Sequence, residues 1–220
     1  MANPGEHHPA FEEYCECIFE LHEDNLDVIQ ARVADRLSVS RPSVSEMIKR
    51  MEAEGLIRLR GTKIVLTDEG NVLATKVVRR HRIAERFLTD ILGLSWATAH
   101  HEAGKWEHVL SAEVEAAMNR VLNNPTTCPH GNSIPGSAHR DVHMTSLADI
   151  QIGLPYTVGR ITEELEHTSG VLEFLESVNL VVGTTATVTA RGEDGKITVR
   201  INDDEVTIDS FIGNRVLVNA

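Results

Sequence analysis

The stretch from Ala34 to Ile48 leaves this chain few choices. Ala34 is small where two helices can cross. Ser38 follows four residues on, Val39 is placed to be buried in the turn, and Val44 and Ile48 share the inner face of a second helix. That order of small residue, turn and buried apolar positions locks two helices at a steep angle. Ser40 is placed to cap the second helix, and Pro42 is tolerated in its first turn because its missing N–H needs no partner there. Upstream, Phe11, Tyr14, Cys15, Ile18 and Leu21 fall at helical spacing over 11–23, with Glu13, Glu16, Cys17 and Glu20 on a neighbouring stripe. Val33, Ala34 and Leu37 give a short helix over 28–37. Downstream, residues 56–67 alternate around a tip at Arg60-Gly61-Thr62-Lys63, the pattern of a β-hairpin. These elements in this order predict a winged helix-turn-helix over residues 1–75.

The outward positions of the second helix are Arg41, Pro42, Ser43, Ser45, Glu46 and Lys49, most of them short or charged side chains that reach base edges and phosphates. With Gln30 and Ser40, and with Arg60 and Lys63 on the hairpin tip, they are the candidate contacts to double-stranded operator DNA. The formal net charge of −12 argues against nucleic acid until its distribution is read: residues 41–63 hold six basic and three acidic groups. Only the local field acts within a Debye length. The alternative is a helical protein–protein module; the coincidence of polar helix face and basic tip favours DNA.

Periodicity predicts a long helix over 68–92, capped by Thr67 and ended by Gly93, then helices from Ser95 to residue 110 and from Ser111 to residue 122. Pro125, Pro129, Pro135 and Pro155 mark 123–157 as a linker. A helical segment over 161–175 precedes short strands at 184–190, 196–202, 205–208 and 215–218, with Asp194-Gly195 as a hairpin turn, the spacing of a small β-barrel. The expected class is mainly α with a small C-terminal β-barrel. No run of about 18 apolar residues exists, so no membrane span is expected. Residues 1–10 lack the basic start and apolar stretch of a signal peptide, which predicts a cytoplasmic protein. Cys15, Cys17 and Cys128 make no disulfide framework, and Cys15-x-Cys17 has no second pair to complete a zinc finger.

His81 and Glu85 lie four apart on one helix face; His100, Gly104 and Glu107 share a face of the next, with His108 beside them. Imidazole with carboxylate is the ligand mix of first-row divalent metals. The acidic stripe led by Glu13 and Glu16 is placed to close such a site. His101-Glu102 begins like the HExxH pattern of zinc hydrolases, but Lys105 stands where the second histidine belongs. No nucleophile elbow, P-loop or dinucleotide fingerprint occurs, so an enzyme is not expected.

Several stretches resemble the diphtheria toxin repressor family of iron- and manganese-dependent repressors: Val33-Ala34-Asp35-Arg36-Leu37, Arg50-Met51-Glu52, Arg80-His81-Arg82-Ile83-Ala84-Glu85-Arg86, His101-Glu102-Ala103, Trp106-Glu107-His108 and Gly131-Asn132-Ser133-Ile134-Pro135-Gly136. The resemblance implies a homodimer in three parts: the winged helix, a helical metal-binding and dimerisation domain over 76–140, and a Src-homology-3-like (FeoA-like) domain within 141–220. It places His81, Glu85 and His100 in an ancillary metal site and Glu107 and His108 in a primary one. Glu13 falls where iron-type members carry Met and manganese-type members Asp, and Glu16 matches a second carboxylate of the manganese type. Gly104 departs from the Cys or Glu of the family, leaving only its backbone carbonyl. Glu166 or His167 lies near the place of an ancillary ligand, and Gly170 replaces a second one. Oxygen ligands, with neither Met nor Cys at these positions, favour Mn²⁺ over Fe²⁺, with Zn²⁺, Co²⁺ or Ni²⁺ expected to bind in vitro. The expected function is a metal-dependent, manganese-responsive repressor of metal homeostasis, with an iron-dependent repressor second and a metallohydrolase last.

Overall fold

The computed structural model of the chain describes residues 9–140 and 142–220, so most of the reading of the first ten residues lies outside it. Helix α1 (Pro9–Glu23) buries Phe11, Tyr14, Cys15, Ile18 and Leu21 as its spacing predicts, and also Glu12, Glu16 and Glu20. Buried carboxylates need partners, and α1 draws them from later parts of the chain. Helices α2 (Gln30–Arg36) and α3 (Arg41–Ala53) form the helix-turn-helix. Ser38 turns the chain at φ 53, and the Ser40 side chain accepts the Ser43 N–H at 3.2 Å. Val44, Ile48 and Met51 pack inward with Val33 and Ala34. Val39 corrects the expectation: it is 38% exposed, because a backbone hydrogen bond from Val39 to Ala34 holds the turn instead of its side chain. Strands β1 (Ile57–Arg60) and β2 (Lys63–Leu66) make the wing, with Arg60 paired to Lys63 at its tip.

Helix α4 (Asp68–Arg86) starts from its Thr67 cap. Gly70 is required there, since a Cβ would run into the Leu56 carbonyl at the base of the wing. The helix is shorter than periodicity suggests. It gives way to a π-helical turn, Phe87–Ile91, before Gly93 ends the element. Helix α5 (Trp96–Trp106) and helix α6 (Ala112–Val121) are capped by Ser95 and Ser111; α5 also stops early, while α6 has Leu122 as its C-cap. Glu107 and His108 therefore stand just past the last regular turn of α5. Ile83, Ala84, Leu88, Ala99, Ala103, Met118 and Ile134 make the core of this middle unit.

The proline-marked segment is not a loose linker. Cys128, His130 and Asn132 are fully buried. The Cys128 N–H bonds to the Asn132 carbonyl at 2.8 Å, and the His130 carbonyl accepts the Ile161 N–H at 2.8 Å. Gly131, at φ 88, sits so close to the Gly159 carbonyl that a Cβ has no room. The prolines shape a fixed loop between the middle unit and the sheet.

The C-terminal unit runs β3 (Thr145–Ser146), β4 (Pro155–Ile161), α7 (Glu163–Glu166), α8 (Val171–Ser177), β5 (Thr185–Arg191), β6 (Ile197–Ile201), β7 (Asp204–Ile208), α9 (Ser210–Gly213) and β8 (Val216–Asn219). Its antiparallel sheet has the order β3-β8-β4-β5-β6-β7 and does not close on itself. Strand β4 was hidden by its register shift between Val158 and Arg160, which breaks the alternation a strand is read from. The expected helix over 161–175 is two short helices: Ile161 belongs to β4, and Gly170 at φ 78 parts α7 from α8. No helix among the described residues is long and apolar enough to cross a membrane.

Candidate metal centre and nucleic-acid interface

Three groups of ligand-type side chains meet where α1, α4, α5, the 123–140 loop and α7 converge. Each offers atoms within 4.8 Å of one another. The outer group is Glu16, His81 and Glu107. His81 Nδ1 lies 2.6 Å from Glu107 Oε2 and 4.0 Å from Glu16 Oε1. His108 joins it, with Nε2 at 3.1 Å from Glu107 Oε1. A cavity of about 350 Å³ opens here, lined by Glu13, Glu16, Cys17, His100, Gly104 and His108 among others. Glu13 is exposed on its rim, and it is Glu12, one residue back and buried, whose carboxylate meets His108 Nδ1 at 2.8 Å. Gly104 supplies no side chain, and nothing occupies the space its Cβ would take.

The middle group is His81, Glu85 and His100. Glu85 Oε1 lies 3.2 Å from His81 Nε2 and 2.9 Å from His100 Nδ1. The inner group is Glu85, Cys128 and His130, all fully buried. Glu166 completes it: Glu166 Oε2 stands 2.8 Å from His130 Nδ1 and 3.4 Å from His100 Nδ1. Between Glu166 and His167, it is Glu166 that turns inward. His167 caps the C-terminal end of α7, half-exposed, and its Nε2 faces Glu20 at 3.3 Å instead of the middle group. Glu20, Glu163 and His167 form a fourth cluster, but arginines already neutralise it: Arg36 reaches Glu20 at 3.3 Å and the buried Arg82 reaches Glu163 at 2.6 Å.

Electrostatics fits these groups to a divalent cation. Burial drives the Glu16 carboxyl well above the carboxylate range, and the charges of Glu107 and Glu20 add to it. Burial works against charge on His81 and His100 as well. Glu85 and Glu107 nevertheless hold His81 protonated well above the histidine range, and Glu166 with Glu85 raises His100 to about 9. Hydrogen bonds to Glu107 and Glu12 raise His108 to about 9. Glu16 Oε1, Glu85 Oε2 and His130 Nε2 are buried without a hydrogen-bond partner, an arrangement that carries a penalty of about 1–3 kcal/mol per group unless something binds there. Protons on the imidazoles balance the carboxylates; a divalent cation supplies the same charge and also satisfies the orphaned atoms.

Reasoning from the sequence missed Glu12, Cys128 and His130 and left Glu166 open. The loop folds Cys128 against Glu85, a thiol that the comparison of the helix positions does not take in. The signal available was the Cys128-x-His130 pair itself, which lies in the proline-marked stretch read as a linker.

On the winged helix, Arg41, Pro42, Ser43, Glu46 and Lys49 are exposed along α3, Ser45 is partly so, and Gln30 begins α2 half-buried. Ser40 is engaged as the α3 cap, its Oγ also 2.8 Å from Ser43 Oγ. At the wing tip Arg60 is exposed, while Lys63 pairs with Asp27 at 2.8 Å across an equally exposed surface. A contact from Lys63 to phosphate has to compete with that pair, a weak one on the surface.

Three family models match successive stretches of the chain. Residues 8–65 match the iron dependent repressor N-terminal DNA binding domain, residues 67–136 the iron dependent repressor metal binding and dimerisation domain, and residues 145–220 the FeoA domain. The iron-dependent repressor IdeR of Mycobacterium tuberculosis is 36% identical over 219 residues, covering 94% of this chain and 95% of that protein. The diphtheria toxin repressor of Corynebacterium diphtheriae is 36% identical over 207 residues, 90% and 91% of the two chains. Among solved structures, a manganese-dependent transcriptional repressor in complex with manganese superposes with a TM-score of 0.85 at 29% identity, covering 94% of this chain and 98% of that one. The manganese regulator SloR gives 0.77 at 27%, covering 95% and 97%. These relatives are repressors rather than enzymes, which removes the metallohydrolase reading.

Proposed function

Because the chain belongs to the diphtheria toxin repressor family of metal-dependent, DNA-binding transcription repressors, we propose that it represses transcription in response to Mn²⁺, acting as a homodimer on operator DNA. The observation that carries this reading is that the outer ligand group sits between α1 of the winged helix and the middle unit: Glu12 and Glu16 come from α1, His81 from α4, and Glu107 and His108 from the end of α5. A bound divalent cation supplies positive charge shared among these donors. Without it, the acidic face of α1 and Glu107 repel once the imidazoles lose their protons, and the winged helix is free to shift. With the donors drawn together, the two α3 helices of a dimer are held one DNA turn or a multiple apart. Moving the protein from mostly open to mostly closed requires a differential affinity of about 5 kcal/mol between the two states. Arg41, Ser43, Ser45, Glu46 and Lys49 then face the major groove with Gln30 and Arg60 flanking.

The carboxylate-rich outer group supports manganese. A second reading, iron, is favoured by the Cys128 thiol in the inner group and by the iron-dependent curated relatives. Binding to the DNA upstream of the chain's own gene, measured under chelator and then with Mn²⁺, anaerobic Fe²⁺ and Zn²⁺ in turn, tests both. Retention at the lowest free concentration of Mn²⁺ supports manganese, and retention at lower free Fe²⁺ supports iron. Retention indifferent to chelator overturns metal control.

A further inference from the structure

Helix α3 carries two carboxylates in different circumstances. Glu52 accepts the Leu59 N–H of β1 at 3.4 Å. Glu46 is exposed and, among the described residues, makes neither a hydrogen bond nor an ion pair. At about 100° per residue it lies about 200° around the helix from both Val44 and Ile48, which are buried, so it points directly away from the core. Pro42, Ser43 and Lys49 share this outward face and are exposed with it. Arg50, one turn on, is drawn elsewhere: its guanidinium lies over the Phe11 ring, 5.4 Å from the centroid. A free carboxylate therefore stands in the middle of the face that meets DNA.

We infer that Glu46 is a specificity-determining residue, and that it selects cytosine at one position of each operator half-site. The inference rests on the DNA-binding reading above. An anion on a surface that enters a groove flanked by phosphates repels the ligand. That cost is offset only where the anion accepts a hydrogen bond from the DNA. An ionised carboxylate has acceptors alone. In the major groove only the amino groups of cytosine N4 and adenine N6 donate; guanine shows N7 and O6, and thymine O4, all of them acceptors.

Adenine and cytosine differ in what lies beside the amino group. Adenine N7 is next to N6, so a carboxylate that accepts from N6 sets its second oxygen against another acceptor. Cytosine has no acceptor on its own major-groove edge. The choice falls on cytosine. The same charge disfavours guanine and thymine at that position, so Glu46 discriminates by what it repels as well as by what it accepts. Arg41 and Lys49, exposed on either side of it in the sequence, suit phosphate oxygens, which fix the register without reading bases.

The test uses the full chain with saturating Mn²⁺ to select duplexes from a randomised DNA library, and repeats the selection with Glu46→Gln and Glu46→Ala. The unaltered chain should enrich a C·G pair at one position of each half-site. Glu46→Gln, whose amide accepts from N6 and donates to N7, should move that position to A·T and keep the others. Glu46→Ala should lose the preference at that position alone. In competition titrations, replacing the selected C·G by A·T should weaken binding of the unaltered chain by about tenfold or more, and that of Glu46→Ala far less. Identical motifs from all three proteins overturn the inference, as does a Glu46-dependent position that is not C·G. Tighter binding of Glu46→Ala to every sequence alike also overturns it, since the carboxylate then only repels. All three outcomes leave metal-dependent DNA binding standing. No enrichment of any sequence with Mn²⁺ or anaerobic Fe²⁺ over chelator overturns the functional reading itself.

Discussion

At the scale of single residues, Gly104 is the most informative position in the centre. It lies within α5 on the cavity wall, and the place of its missing Cβ is open. Glycine inside a helix is unfavourable by roughly 0.5–1 kcal/mol relative to alanine. Gly104→Ala should therefore raise stability by about that amount in urea unfolding, with no change in metal content. Gly104→Glu should add a carboxylate to the cavity and tighten Mn²⁺ by tenfold or more in a competition titration. Equal or weaker Mn²⁺ binding in the Glu variant would show that the outer group does not coordinate toward this wall. Arg82 is the residue on which the units meet. Its buried guanidinium reaches Glu23 at 2.5 Å on α1, the Ser133 carbonyl at 2.5 Å in the loop, and Glu163 at 2.6 Å on α7. Removing one partner of a buried ion pair costs about 3–5 kcal/mol because the remaining charges stay buried. Arg82→Met should show a loss of that order in denaturant unfolding, and a loss below 1 kcal/mol would mean the carboxylates find water or protons in its place.

At the scale of elements, the α4–α5 contact carries three histidines whose protonation is tied to the fold. In the metal-free protein, His100 and His108 titrate near 9, above the ordinary histidine value of 6.5. Burial and neighbouring carboxylates hold Glu163 at about 8. Raised folded-state values contribute stability that is complete below the unfolded value and lost as pH climbs through the folded one. The thermal midpoint under chelator should thus fall between pH 6.5 and 9. The stabilisation by Mn²⁺ should grow over the same interval, because the imidazoles must shed their protons to ligate. A chelated midpoint that is flat or rising over that range contradicts this account. The same elements show what a sequence discloses. The helix-turn-helix, wing, α4 and α5 were legible because apolar period, caps and turn residues agreed, and His81, Glu85 and His100 followed from helical spacing alone. Glu12 was passed over for Glu13 because the choice between adjacent carboxylates depends on how α1 is rotated against α5. Cys128 and His130 were passed over because a loop has no period, and only Gly131 packed against Gly159 reveals that the loop is pinned. Strand β4 was lost to a bulge, and Val39 was assigned an inward role that a backbone hydrogen bond fills.

At the scale of the whole molecule, the C-terminal unit is built into the sensing centre instead of hanging from it. Glu166 stands against His130 and His100. Arg160 pairs with Asp24 at the end of α1 at 2.6 Å, and Trp96 at the start of α5 stacks edge-on against His130 at 4.6 Å. Any shift of α1 relative to α4 is therefore felt by all three units, which is the geometry a metal-gated DNA reader requires. Glu107 is the side chain on which that gating converges, touching both His81 and His108. The most direct test measures the affinity of the Glu107→Ala protein for operator DNA by fluorescence anisotropy, with Mn²⁺ and with chelator, after confirming a folded dimer. Mn²⁺ should strengthen DNA binding by a hundredfold or more in the unaltered chain and by little or nothing in Glu107→Ala. An undiminished response to Mn²⁺ in that variant would contradict gating through Glu107.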